Sequence, residues 1–144
     1  MSNYKTVLLG KNSRLVSALG YVDTGNFLTD QKTKRPVAIA SPEVMLKLLP
    51  DSYHHIIRSY QEGNCSLLNC EVGYAHIGIH LIPYNTICNK NELMLAFDCD
   101  FFFIDNKIIQ KKPLIGISKE SFTLLHTNMC ILLSQKFMKK GIKL

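Results

Sequence analysis

Two apolar runs, Thr6 to Leu9 and Leu15 to Val22, flank Gly10-Lys11-Asn12-Ser13, and this arrangement constrains the opening of the chain more than any other feature. A glycine and small polar residues between two apolar segments supply a turn between strands, so the first two dozen residues predict a β-hairpin. The second run ends at Asp23-Thr24-Gly25-Asn26. A carboxylate is thereby placed where a strand gives way to a tight turn, a position suited to presenting a reactive group.

The rest of the chain reads as further strands around a short helical section. Pro36 to Ala40 is a short strand. Ser41-Pro42-Glu43 then offers an N-cap, a proline at the first helical position and an acid in the first turn, which predicts a helix to about Leu49. Asp51 is placed to cap a second helix with Ile56, Ile57 and Tyr60 on one face, stopped at Gly63. Strands follow at His76 to Leu81, where apolar residues alternate, and at Leu93 to Phe97, Phe101 to Ile104 and Ile108 to Ile117. Asp105-Asn106-Lys107 turns the chain between the last two. Thr127 predicts the cap of a final helix through Met129, Leu132, Leu133 and Phe137, ended by Gly141. The fold class expected is mainly β with a few helices, in one domain over residues 1–144.

Composition narrows the functional classes. With 47% hydrophobic and 19% charged residues, the 144-residue chain is globular rather than disordered. No segment has the apolar length to span a bilayer, and Met1-Ser2-Asn3-Tyr4-Lys5 lacks the order of a secretory signal, so a soluble, cytoplasmic chain is expected. Five dispersed cysteines, Cys65, Cys70, Cys88, Cys99 and Cys130, argue against a disulfide framework. The formal charge of +6 favours acidic partners, but no recognised motif interleaves the lysines with stacking aromatics, so direct nucleic-acid binding is not expected.

Asp23-Thr24-Gly25 suits an aspartic peptidase. Such an enzyme holds two carboxylates around one water, and because like charges that close cannot both ionise, the pair shares a proton and divides the roles of base and acid. Gly25 lets the backbone turn without a Cβ, and Thr24 offers a hydroxyl to fix the loop from inside. As a bare tripeptide the match is weak. Leu114-Ile115-Gly116 strengthens it, because an apolar pair and a glycine lie beneath the Asp-Thr-Gly loop in pepsin-like and retroviral-type half-domains. One Asp-Thr-Gly in a chain of half-enzyme length calls for a second copy.

Three stretches extend the likeness. They are Ala18-Leu19-Gly20-Tyr21-Val22-Asp23-Thr24-Gly25-Asn26-Phe27-Leu28-Thr29-Asp30 continuing to Pro36-Val37; Leu81-Ile82-Pro83-Tyr84 leading to Leu93-Met94-Leu95-Ala96-Phe97 and Asp100; and Leu114-Ile115-Gly116-Ile117-Ser118 followed by Leu124-Leu125-His126. Together they resemble the sporulation sigma-E factor-processing peptidases, membrane-anchored aspartic peptidases of spore-forming bacteria. Asn26 is the informative residue, since pepsins and retroviral enzymes usually carry Ala or Ser there.

The resemblance implies a retropepsin-like acid-protease half-barrel, active as a two-fold homodimer, with Asp23 catalytic and Thr24, Gly25, Asn26, Leu114, Ile115 and Gly116 supporting its loop. It implies a sigma-factor precursor as substrate, losing a short N-terminal pro-segment. It further implies an activating signalling protein, a membrane region outside these residues that holds the domain at the cytoplasmic face, and no cofactor. The chain departs from the family at Asp30-Gln31, where Asp-Pro is usual. The polar loop Ile87-Cys88-Asn89-Lys90-Asn91-Glu92, whose place between Asp23 and Gly116 suggests a flap over the substrate, lacks the glycines expected there.

Two other readings compete. Cys65, Cys70, His76 and His80 could hold zinc tetrahedrally, but the Cys70 to His76 spacing falls well short of a usual finger, and no metal is expected. A non-catalytic retropepsin-like module that dimerises and binds a peptide is the rival from another class. The intact Asp23-Thr24-Gly25 favours the enzyme, since a module released from catalysis has no chemical need for that carboxylate.

Overall fold

Period-two burial along the first hairpin sets the architecture. In the computed structural model, which describes residues 3–26, 28–63, 78–84 and 92–140, strand β1 (Tyr4–Lys11) pairs antiparallel with β2 (Arg14–Asp23), from Tyr4 opposite Tyr21 to Lys11 opposite Arg14. Val7 and Leu9 on β1, and Val16, Ala18 and Val22 on β2, point into the core. Asn12 and Ser13 make the turn with φ of 50° and 69°, a backbone whose twist matches that of the two strands.

The remaining elements are β3 (Val37–Ala40), α1 (Pro42–Leu48), a 3-10 turn at Asp51–Tyr53, α2 (His54–Gln61), β4 (Ile79–Tyr84), β5 (Glu92–Phe97), β6 (Phe101–Ile104), β7 (Lys107–Ile108), β8 (Leu114–Ile117), β9 (Cys130–Ser134) and α3 (Gln135–Lys140). The protein is mainly β with a few helices. One sheet joins the described strands in the order β4-β5-β8-β3-β9-β2-β1-β6-β7. Most neighbours are antiparallel, but β2 runs parallel to β9 and β3 parallel to β8.

Alternation sorts the central strands between two apolar clusters. Ala38, Ala40, Leu95, Phe97, Ile115, Ile117, Ile131 and Leu133 join the larger one, with Val44, Met45 and Leu48 of α1 and Ile56, Ile57 and Tyr60 of α2. Their sequence neighbours Val37, Met94, Ala96 and Leu114 form the smaller one with Ile82, flanked by Leu28, Ile39 and Tyr84. Strands buried on both faces lose the polar alternation that would identify them in the sequence.

That loss explains where the structure departs from expectation. The segment from Thr127 is not one helix. Cys130–Ser134 is a strand, and α3 starts only at Gln135. A short continuous apolar run such as Cys-Ile-Leu-Leu is consistent with either element by periodicity alone. Ile108 to Ile117 likewise splits, because Pro113 has no N–H for a ladder and β8 begins after it. The expected caps also differ. Neither Ser41 nor Asp51 caps a helix with its side chain, and the Ser41 hydroxyl donates instead to the Asn128 carbonyl. Gly63 follows α2 as expected, with φ of 75° and its N–H donated to the Tyr60 carbonyl. None of the described helices is long and apolar enough to cross a membrane.

Candidate active site

Asp23 is the last residue of β2, and a β-turn begins on it. The Asn26 N–H donates to the Asp23 carbonyl at 3.0 Å, and the Gly25 N–H donates to Asp23 Oδ1 at 3.0 Å. A carboxylate that accepts from the amide two residues on is the usual device by which Asp organises its own turn. The group is thereby oriented with Oδ1 committed, and among the described residues no donor reaches Oδ2. Asp23 is half-buried, while Thr24 and Gly25 are exposed at the tip.

The loop is fixed from inside by Asn26, and Thr24 stands in the open. Asn26 is only 7% exposed. Its Nδ2 donates to the Val37 carbonyl at 3.3 Å and its Oδ1 accepts the Leu28 N–H at 3.1 Å, while the Val37 N–H returns to the Leu28 carbonyl. One side chain therefore ties the turn to the first residue of β3. Gly25 does not take the left-handed backbone seen at Gly63 and Gly78, and among the described residues a Cβ added there would meet only Asp23 Oδ1, at 3.5 Å.

Beyond the turn, Asp30 and Arg35 shape the return to β3. Asp30 is 5% exposed and accepts from the Thr33 hydroxyl at 2.6 Å and from the Lys32 and Thr33 amides. Burial works against its charged form, but these hydrogen bonds, with help from His80, outweigh it and hold the carboxyl below the usual carboxylate range. Arg35 donates through Nε to the Lys112 carbonyl at 2.9 Å and through a terminal nitrogen to the Pro113 carbonyl at 3.0 Å, and it pairs with Asp98 Oδ1. Asp98 Oδ2 contacts His80 Nε2 at 2.9 Å. Burial pushes the Asp98 carboxyl up, and the bonds to His80 and Arg35 outweigh it, so this group too lies below its ordinary range. Nothing in the sequence signalled this three-residue bridge, whose members stand far apart along the chain.

Of the other expected support residues, Leu114 is the partner of Val37 in the parallel β3–β8 ladder, and Ile115 and Gly116 follow it. They lie on the far side of β9 and β3 from Asp23. The neighbour of Asp23 in the sheet is Ser134, paired with it in the parallel β2–β9 ladder and fully buried. Sequence reasoning missed Ser134 because its segment reads as helix. Residues 87–91 of the expected flap lie outside the described residues, and Glu92 opens β5, paired with Tyr84 of β4. Cys65, Cys70 and His76 are also outside them, and His80 is engaged with Asp98. A shallow depression of about 350 Å³ lies elsewhere, lined by Arg35, Asp98, Cys99, Asp100, Lys111 and Lys112. There Arg35 and Lys112 donate to backbone carbonyls, which makes it a seam of the fold.

Residues 3–135 match the family model described as sporulation factor SpoIIGA. A curated relative, the sporulation sigma-E factor-processing peptidase of Priestia megaterium, is 28% identical over 123 residues, which cover 83% of this chain and 39% of the relative. The chain thus spans well under half the length of that protein. No solved structure matches the chain.

Proposed function

The chain belongs to the sporulation factor SpoIIGA family, and from that premise we propose that it is the catalytic part of an aspartic endopeptidase that removes an N-terminal pro-segment from a sporulation sigma-factor precursor. The observation that carries this reading is the Asp23 turn: a carboxylate at a strand end, oriented by the Gly25 amide, with one oxygen left for a water or a second carboxylate. The fold we assign is a retropepsin-like half-barrel that pairs across a two-fold axis.

The chemistry requires two such turns. In the paired enzyme one Asp23 and its counterpart in a second copy share a single proton, because two carboxylates at hydrogen-bond distance cannot both ionise. The ionised one takes a proton from the bound water as it attacks the peptide carbonyl. The protonated one donates to the developing oxygen; as the C–N bond breaks, the proton taken from water passes to the leaving amine and the re-forming carbonyl returns its proton to the carboxylate pair. The exposed Thr24 and Gly25 form the surface that the second copy would cover. Since the described residues leave room for a side chain at Gly25, we assign the need for glycine there to the close approach of that copy.

The sigma-factor precursor, the activating signalling protein and attachment to a membrane through another region are further parts of this proposal, taken from the family likeness. The test is cleavage of purified precursor by the wild-type chain and by Asp23→Asn. Wild type should remove the pro-segment, and Asp23→Asn should lose at least about a thousandfold in rate, the scale seen when a member of a catalytic unit is removed, with an unchanged melting temperature. Precursor cleavage that survives Asp23→Asn would reject the aspartic mechanism.

A further inference from the structure

We propose that Ser134 is a positioning residue for the Asp23 carboxylate, a role that rests on the aspartic peptidase reading above. Asp23 and Ser134 are paired in the parallel β2–β9 ladder, one step beyond the pair Val22 and Leu133. Val22 and Leu133 both enter the larger apolar cluster, so alternation puts Asp23 and Ser134 together on the opposite face of the sheet. Neighbouring strands lie about 4.8 Å apart, and the end of β2 therefore takes its lateral position from the end of β9.

The end of β9 is itself locked through the Ser134 side chain. Ser134 is fully buried, and its hydroxyl accepts the Lys136 N–H at 3.1 Å, so the strand's last residue caps the helix that follows. The first turn of that helix also reaches the loop on the other side of the catalytic turn, where Lys136 Nζ donates to the Thr29 hydroxyl at 2.7 Å. The chain entering the Asp23 turn and the chain leaving it are both attached to residues 134–136. A serine serves here because it accepts a hydrogen bond and fits a site with no accessible surface. A longer or branched side chain would displace β9 from β2.

Two carboxylates that must share one proton across a two-fold axis are sensitive to where each strand end sits. A misplacement of about 1 Å far from the chemistry costs on the order of a hundredfold in rate. Ser134→Ala removes the acceptor, and Ser134→Cys keeps the shape at a slightly larger volume with a much weaker acceptor. The Cys variant decides the outcome if the Ala variant is too unstable to assay. With precursor as substrate, both are expected to lower kcat about tenfold or more with KM within about twofold, and to shift the bell-shaped pH dependence of kcat, because the apparent values of the pair depend on its spacing. A role confined to capping the helix would lower the melting temperature and leave kcat and the pH profile unchanged, and that result would overturn the proposal. Asp23→Asn run alongside separates the two levels. Cleavage surviving in it rejects the aspartic reading, whereas its inactivity with unaltered Ser134 variants rejects only the role of Ser134.

Discussion

Asn26→Ala isolates the clamp that holds the Asp23 turn to β3, and its cost follows from two contacts. The substitution removes the bond from Nδ2 to the Val37 carbonyl, 3.3 Å long, and the bond from the Leu28 N–H to Oδ1, 3.1 Å long. A typical intramolecular hydrogen bond contributes about 1 kcal/mol net, and a buried group left without its partner costs more. The Val37 carbonyl bond is at the long end of the range, which trims its share, and loss of the other strands the Leu28 amide beside a site only 7% exposed. The two together give about 2 kcal/mol. For a domain of this size that corresponds to a fall in melting temperature of roughly 6 to 8 °C. Urea denaturation followed by circular dichroism measures it, with the m-value expected to stay unchanged. Asn26→Asp is the sharper control, because it keeps the acceptor for Leu28 but aims a carboxylate at the Val37 carbonyl, and it should be at least as destabilising as the alanine. If Asn26→Ala costs less than about 0.5 kcal/mol, or Asn26→Asp matches wild type, the turn is held by something other than this side chain.

Two further outcomes follow from the packing and the charges. Because the Asp98 carboxyl lies below its ordinary range in the folded protein, its contribution to stability is complete above the unfolded value of about 3.9 and declines as the pH falls from there through the lower folded value. Urea midpoints measured from pH 7 down to pH 3 should therefore fall less steeply for Asp98→Asn than for wild type, and equal acid slopes would contradict the bridge. Gly10 faces Phe101 across the β1–β6 pair, and an added Cβ would come within 2.1 to 2.7 Å of three ring atoms. Gly10→Ala should cost about 1–3 kcal/mol. In a double-mutant cycle Phe101→Ala should relieve a large part of that cost, and additive effects would show that the ring is not the obstacle.

The readable parts of this protein were those with local signals. Gly10 to Ser13 announced the first hairpin, and Ser41-Pro42-Glu43 announced α1, although Ser41 turned out to bond Asn128 and leave the helix end uncapped. Asp23 could be placed at a strand end because the apolar run stops there. Asn26 could be singled out as a residue, but not as the clamp, since its partner Val37 lies across a loop. Apolar strands at the middle of the sheet were harder. Ile131, Leu132 and Leu133 carry no alternation because all three are apolar, although Leu132 is only half-buried, so β9 looked like the start of the last helix and Ser134 went unseen beside Asp23. The bridge of Arg35, Asp98 and His80 was invisible for a different reason. Its residues are common surface types, and only the folded sheet brings them together.

The insertion of β9 between β2 and β3 also bears on when an Asp23 site can exist. Asp23 stands on the second strand and its neighbour in the sheet on the last strand described, so the central ladder closes only once β9 is available. Pairings of such long sequence separation are slow to form, since the loop must be closed before the contacts reward it. A partly made or partly folded chain therefore carries the carboxylate without the strand beside it. Under the proposed function, cleavage would wait for β9 to pair with β2, a delay set by the connectivity of the sheet itself.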